Sequence, residues 1–535
     1  MAVSIGEDSV HRREAESSAL EAVIGDATLT PTGLYLLHLL ACAVNGAEPR
    51  PIAEAGGDAV GGGTVEAGAV AASEVAPTGN ASEGAAGATA DALTWQAVYE
   101  LAARNSVEGC TWAAARHLAS DMPTQLAERW EQAAQATLWR RLQFDAERDR
   151  VIAAMDAAGL AHLPLKGITM AERYPDPTMR SMADNDILYG YVEALTVGEG
   201  PAATLPVGEG PTEALPARKG LAAALPAGEG NAPASVSGPT AVPEAPASVS
   251  GPTAAPEASA HIPAAPAIGY RIVPGSVKRA TREMSRIMGG LGYRDQKLGH
   301  GNADCFYKKP CFNFEMHRIL VQLSYSFASC LDDPWVHAVP DDPSASHPLA
   351  FHFDMTFEYI FHVVHAYKHF SEGGCGVRNA VDEYVFLHED GDKVDRGLVA
   401  SELVLMDVDG FERVLNKAAL EAFGPEACPS VGQGRSAESA RFLATMLGAG
   451  TYGSTANRIK NRIHRSQSAG DSAGQARLRY LIDRITQRDV LADYHPVVAR
   501  HRWLMPLFLL GRLGKAVIRA PKVLAELRAV RRFKD

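Results

Sequence analysis

The chain has 535 residues, 46% of them hydrophobic and 21% charged, and a formal net charge of −12. That balance is ordinary for a globular protein, and it excludes bulk nucleic-acid binding, which needs a basic footprint. Seven cysteines without a CxxC pair (Cys42, Cys110, Cys305, Cys311, Cys330, Cys375, Cys428) predict reduced thiols and a cytoplasmic setting rather than a disulfide framework. The N-terminus lacks the basic start and apolar core of a signal peptide.

In chain order, residues 1–44 read as N-terminal helices, the second opened by the cap-type residues of "TPTGLYLLHLLACAV". Residues 45–90 are Gly/Ala-rich with few large apolar side chains, so they predict a disordered linker. Residues 91–159 form a helical region, beginning with Trp95, Val98, Tyr99 and Ala102 at helical spacing. Residues 160–350 then read as a small α/β core. "AHLPLKG" is a buried strand and turn, "ITMAERY" a short helix, "PDPTMRS" a proline loop and "MADNDILY" a second strand. The core is interrupted at about 191–268 by a Pro/Ala/Gly/Ser-rich insertion. It holds the tandem units "PASVSGPTAVPEA" and "PASVSGPTAAPEA", which have no hydrophobic face to stack. It reads as a second disordered segment. A helix, "SVKRATREMSRIMGG", and the strands "ADCFYKK" and "CFNFEMHRILV" complete the core. In the last strand Phe312, Phe314 and Met316 alternate with Asn313, Glu315 and His317. Residues 351–535 are mostly helical. The fold class predicted is α+β, a small mixed sheet with largely helical N- and C-terminal regions and two disordered insertions.

The chemistry concentrates in "MRSMADNDILY" (179–189). In a strand, Asp184 and Asp186 project to one side. Two carboxylates that close repel unless a cation neutralises them, and hard oxygen ligands in small number suit Mg²⁺, with Mn²⁺ as a second choice. Glu315, on the polar face of its strand, could supply a third carboxylate, the set that phosphoryl or nucleotidyl transfer uses. His317 shares that face and would lie behind the ligands. Before the pair, Gly167 permits close backbone approach to a phosphate, and Lys166 adds a positive charge at the same turn. Arg180 could neutralise the pair or grip a phosphate bidentately.

These segments resemble the uncharacterised nucleotidyltransferase family of the polymerase-beta-type superfamily. The resemblance is carried by "LKG", "YPDPTMRSMADNDILY", "HAYKHFSEGGCGVRNAVDEYVFL", "LTWQAVYELAARNSV", "GTYGS", "LRYLIDRI" and "HRWLMPLFLLGRL". It implies a nucleotidyltransferase-type sheet and transfer of an NMP from an NTP to an unidentified acceptor. It also implies that Asp184, Asp186 and Glu315 hold metal, with Glu315 alternatively the base. Lys166-Gly167 stands where better-known members have Gly-Ser, and Asn185 stands where an apolar residue is usual. Lys166, Gly167 and Arg180 would then contact the triphosphate, joined by a cationic surface of His365, Lys368, His369 and Arg378. Asp382 follows Arg378 at the i,i+4 spacing of a helix ion pair. "GTYGS" is a second candidate phosphate loop.

Two other readings follow from the same residues: a nucleotide-binding regulator without catalysis, favoured by the missing turn serine, and an accessory protein of envelope polysaccharide synthesis. The latter rests on "WLMPLFLLG" (503–511) with the basic residues Arg512, Lys515, Arg519, Lys522, Arg528, Arg531, Arg532 and Lys534. That stretch is too short to span a bilayer but suited to weak peripheral contact with an anionic surface.

Overall fold

The computed structural model describes residues 23–54, 93–195, 269–341 and 347–518, apart from 452, 454, 469–470, 487–490 and 492–494, together with Leu20. Most of the 45–90 segment, the 191–268 insertion from residue 196 on, most of the first N-terminal helix and the tail from residue 519 fall outside them.

Helix α1 (Pro31–Asn45) starts where Thr30 Oγ1 accepts from Gly33 N at 3.1 Å, and it stops at Gly46, whose φ is 62°. Its "LYLLHLL" stretch is apolar all round, and Tyr35, Leu36, Leu37, Leu39 and Leu40 are fully buried. A helix of that composition must be surrounded. Here α2 (Trp95–Arg104) and α3 (Glu108–Ala115) pack against it. So does a helix from far along the chain, since Asn45 Nδ2 donates to the Phe423 carbonyl at 2.7 Å. The N- and C-terminal helical regions are therefore one packed body.

Helix α4 (Thr124–Ala157) leads into β1 (Ala161–Pro164), the short helix α5 (Gly167–Arg173) and β2 (Asn185–Gly190). Next, β3 (Val192–Ala194) pairs antiparallel with β4 (Tyr270–Ile272). This hairpin, not expected from the sequence, brackets the insertion. Helix α6 (Val277–Gly290), β5 (Arg294–Lys297), β6 (Ala303–Lys308) and β7 (Phe312–His317) follow. The main sheet has the order β1-β2-β7-β6-β5. Only β2 and β7 run parallel, with Asp186 opposite Glu315 and Leu188 opposite His317. The protein is thus α+β with a small mixed sheet.

The alternation of β7 decides which face does what. Phe312, Phe314 and Met316 join Ile187, Tyr189 and Phe306 in a core covered by Phe144, Val151 and Met155 of α4 and Met284, Ile287 and Met288 of α6. Asp186, Glu315 and His317 are left on the opposite face. After the small β8 (Ala338–Pro340) and β9 (Phe351–Phe353) pair, α7 (Met355–Gly373) and α8 (Arg378–Asp390) bring polar side chains toward that face. The turn between α7 and α8 is held by close packing: a Cβ on Gly374, at φ 88°, would lie 2.7 Å from Ala449 Cβ.

Candidate active site

The strand carrying the acidic pair begins at Asn185, so Asp184 sits in the loop just before it rather than inside the strand as the sequence suggested. Asn185 turns away from Asp186. It is fully buried on the α4 side, where its Oδ1 accepts from Arg148 at 3.4 Å. The polar residue at this position therefore serves the contact with α4, not the chemistry.

Lys166, Gly167, Asp184, Asp186, Glu315, His365, Lys368, His369, Arg180 and Arg378 all line one cavity of about 320 Å³. The sequence had assembled this set from four separate stretches. The cavity also takes His362, Asn379, Asp382 and Thr451. Of these, His362 could have been found: it precedes His365 by three residues and His369 by seven, the spacing of one helix face.

Lys166 adopts φ 49°, ψ −108°, a conformation costly for a side chain other than glycine and found mostly where function demands it. The strained backbone delivers its Nζ to within 3.0 Å of Asp186 Oδ1 and 3.4 Å of His317 Nε2. Burial works against the ammonium charge, but Asp186, Glu315 and Asp184 outweigh it and hold Lys166 above its usual range. Asp186 is the mirror case. Burial would raise it, yet Lys166 and His317, whose Nε2 lies 2.8 Å from Oδ1, keep it well below the usual carboxylate range. Asp184 goes the other way. Burial and the neighbouring charge of Asp186 push it up to about 7, against the pull of Lys166 and Arg378.

Two assignments need correction. Arg180 is not available as a phosphate clamp. Its Nε and Nη2 donate to Asp382 Oδ1 and Oδ2 at 2.8 and 2.9 Å, and its Nη1 donates to the Gly167 carbonyl at 3.0 Å. Tyr174 adds a fourth contact, donating to Asp382 at 2.8 Å. Gly167 makes room for this guanidinium, since a Cβ there would lie 3.2 Å from Arg180 Nη1. Asp382 is accordingly the partner of Arg180 rather than an i,i+4 partner of Arg378, which donates to the Ser181 carbonyl at 3.3 Å. The reason is burial: a bidentate guanidinium satisfies a buried carboxylate better than a side chain of the same helix can.

The cationic wall is also narrower than expected. His365 and His369 face each other, Nε2 to Nε2, at 3.1 Å. Burial first, and then the Lys166 and Lys368 charges, hold both below the usual histidine range. Lys368 and Arg378 are the cationic side chains left on the wall, and burial first, then the Lys166 charge, hold Lys368 below its usual range. The "GTYGS" loop also has a packing duty, Thr451 N donating to the Arg104 carbonyl at 3.1 Å, although Thr451 borders the cavity.

The donor set suits a divalent cation. Ligand atoms of Asp186, Glu315 and His317 lie within 4.8 Å of one another, and a positive charge, the Lys166 ammonium, already sits against two of them.

Fold and cleft together define an α+β protein with an acidic strand pair facing a basic helical wall. Residues 91–197 and 277–416 match the family described as "Uncharacterised nucleotidyltransferase", and the match supports that family for this chain. Neither the search of curated proteins nor that of solved structures returned a match. All seven cysteines are free. Among the described residues no helix is long and apolar enough to cross a membrane.

Proposed function

We propose that the protein is a metal-dependent nucleotidyltransferase that moves an NMP from an NTP to an acceptor hydroxyl. The observation that carries this reading is the parallel register that sets Asp186 directly opposite Glu315, with Asp184 beside them and Lys368 and Arg378 across the same cavity. Asp184, Asp186 and Glu315 would hold Mg²⁺ or Mn²⁺. When bound, the ion supplies Lewis-acid stabilisation of the phosphoryl oxygens. Lys368 and Arg378 orient the triphosphate and offset its charge. Glu315, with 36% of its side chain accessible against 8% for Asp186, takes the acceptor proton as the acceptor oxygen bonds to the α-phosphorus. The bond from that phosphorus to the bridging oxygen breaks, and pyrophosphate leaves. Lys166 is positioned to follow the charge, moving from Asp186 toward the phosphates once the carboxylate has another cation.

The test is incubation with α-labelled NTPs and Mg²⁺ in a lysate containing acceptors. Wild type should transfer label, and the Asp184→Asn/Asp186→Asn variant should lose at least about 10²-fold, the scale of several kcal/mol of lost transition-state stabilisation. Equal absence of transfer in both would leave the second reading, a nucleotide-binding regulator. The lysine that already neutralises Asp186 favours that alternative.

A further inference from the structure

His317 was expected behind the metal ligands. The geometry puts it among them. It follows Glu315 by two residues on β7, so both side chains leave the same face of the sheet. Its ring is 1% exposed, and Nε2 lies 2.8 Å from Asp186 Oδ1 and 3.9 Å from Glu315 Oε2. Nε2 is therefore as much part of the donor cluster as either carboxylate.

A ring nitrogen can ligate only if it carries no proton, and then the other nitrogen must donate to something. His317 Nδ1 meets that condition. It has the Ile319 carbonyl, an acceptor, at 3.4 Å and Asn302 Nδ2, a donor, at 3.3 Å. Both tautomers are served. With the proton on Nε2 the ring donates to Asp186 and accepts from Asn302. With the proton on Nδ1 it donates to Ile319 and turns a lone pair toward the carboxylates. A backbone carbonyl behind the ring is a common support for a metal-ligating histidine. Independently, Lys166 Nζ lies 3.0 Å from Asp186 Oδ1 and 3.4 Å from His317 Nε2, so oxygen and nitrogen donors already converge on a positive charge.

From this we infer that His317 Nε2 is a direct ligand that joins the carboxylates, making the centre a mixed oxygen–nitrogen site that takes a first-row transition ion such as Mn²⁺ in preference to Mg²⁺. Imidazole nitrogen is a good donor to transition ions, whereas Mg²⁺ holds to oxygen ligands and its own water. The inference rests on the nucleotidyltransferase reading for the presence of a metal and goes beyond it in naming the ligand and the ion.

The experiment is pulsed electron paramagnetic resonance on the full-length protein with one equivalent of Mn²⁺, read for hyperfine coupling to directly bound ¹⁴N, alongside Mn²⁺ and Mg²⁺ dissociation constants. Wild type should show the coupling. His317→Gln should lose it and bind Mn²⁺ about 10- to 100-fold more weakly while Mg²⁺ binding changes less than about 3-fold. A His365→Gln/His369→Gln variant should keep the coupling, which excludes the other histidines of the cavity as its source. Bound Mn²⁺ without ¹⁴N coupling in wild type overturns the inference and leaves the carboxylate reading intact. So does coupling that vanishes in the His365→Gln/His369→Gln variant or survives in His317→Gln. No Mn²⁺ binding with or without NTP overturns both.

Discussion

Arg180 and Asp382 form a buried ion pair, with side chains 8% and 5% exposed, that ties the loop before β2 to α8. Removing one member leaves the other charged, buried and unpaired. Arg180→Met is expected to lower unfolding stability by about 3–5 kcal/mol, measured by urea denaturation. Arg180→Met/Asp382→Leu should recover part of that loss, and equal stability of Arg180→Met and wild type would contradict the role. The pairing was not legible in the sequence because the partners lie 202 residues apart, and nothing local distinguishes an arginine aimed at a phosphate from one aimed at a carboxylate. Asp184, Asp186 and Glu315 were legible. Acidic residues two apart before an apolar run, and an acid in polar phase on a later strand, are local patterns that reflect the sheet's two faces. Lys166 was half legible. Its charge was read correctly at the turn, but its positive φ and its seat on Asp186 depend on tertiary strain.

At the scale of elements, amphipathic alternation recovered β7 and α6 because one face of each is core. It missed β3, β4, β8 and β9, each three residues long, and the four-residue β5, all too short for a period to register. Helix α1 carries a pH dependence of its own. His38 is fully buried and accepts from Arg50 N at 2.9 Å. Burial, and then the Arg435 and Arg50 charges, push its pKa down to about 4. Between that value and the ordinary one near 6.5, the unfolded chain binds the proton and the folded chain does not. The contribution is therefore present above about pH 6.5 and lost as pH falls toward 4, on the order of 3 kcal/mol in all. Denaturation of wild type and His38→Gln across pH 7 to 4 should show a steeper loss for wild type, and parallel curves would contradict it. Near the C-terminus, the final described helix (Met505–Ile518) presents Leu507 and Leu510 to solvent at 69% and 65% exposure, with Trp503 just before it at 76%. If this apolar side and the basic residues after it meet an anionic membrane, the full chain should pellet with phosphatidylserine vesicles more than a chain ending at His501. Equal pelleting would remove the proposal.

For the molecule as a whole, the two low-complexity stretches stand out by composition and lie mostly outside the described residues, and the hairpin of β3 and β4 shows how the fold accommodates the longer one. Ala194 and Tyr270 are register partners, so the chain leaves and re-enters the fold at adjacent points. Replacing 196–268 with a short Gly/Ser linker should leave the fold intact and raise stability by about 1–2 kcal/mol, because closure entropy grows only logarithmically with length. A lowered thermal midpoint would show that the insertion contributes contacts. The packing of α1 against the C-terminal helices was not legible, since no local pattern reports a partner more than three hundred residues away. The central claim is that Asp184, Asp186 and Glu315 hold a cation and Lys368 and Arg378 a triphosphate in one cleft. Its most direct test is a crystal structure with a non-hydrolysable NTP and Mn²⁺, with anomalous scattering recorded at the manganese edge. The account predicts an anomalous peak against Asp186 and Glu315, with the phosphate density running toward Lys368 and Arg378. Nucleotide bound elsewhere, or in this cleft with Lys166 still on Asp186 and no anomalous peak, would contradict it.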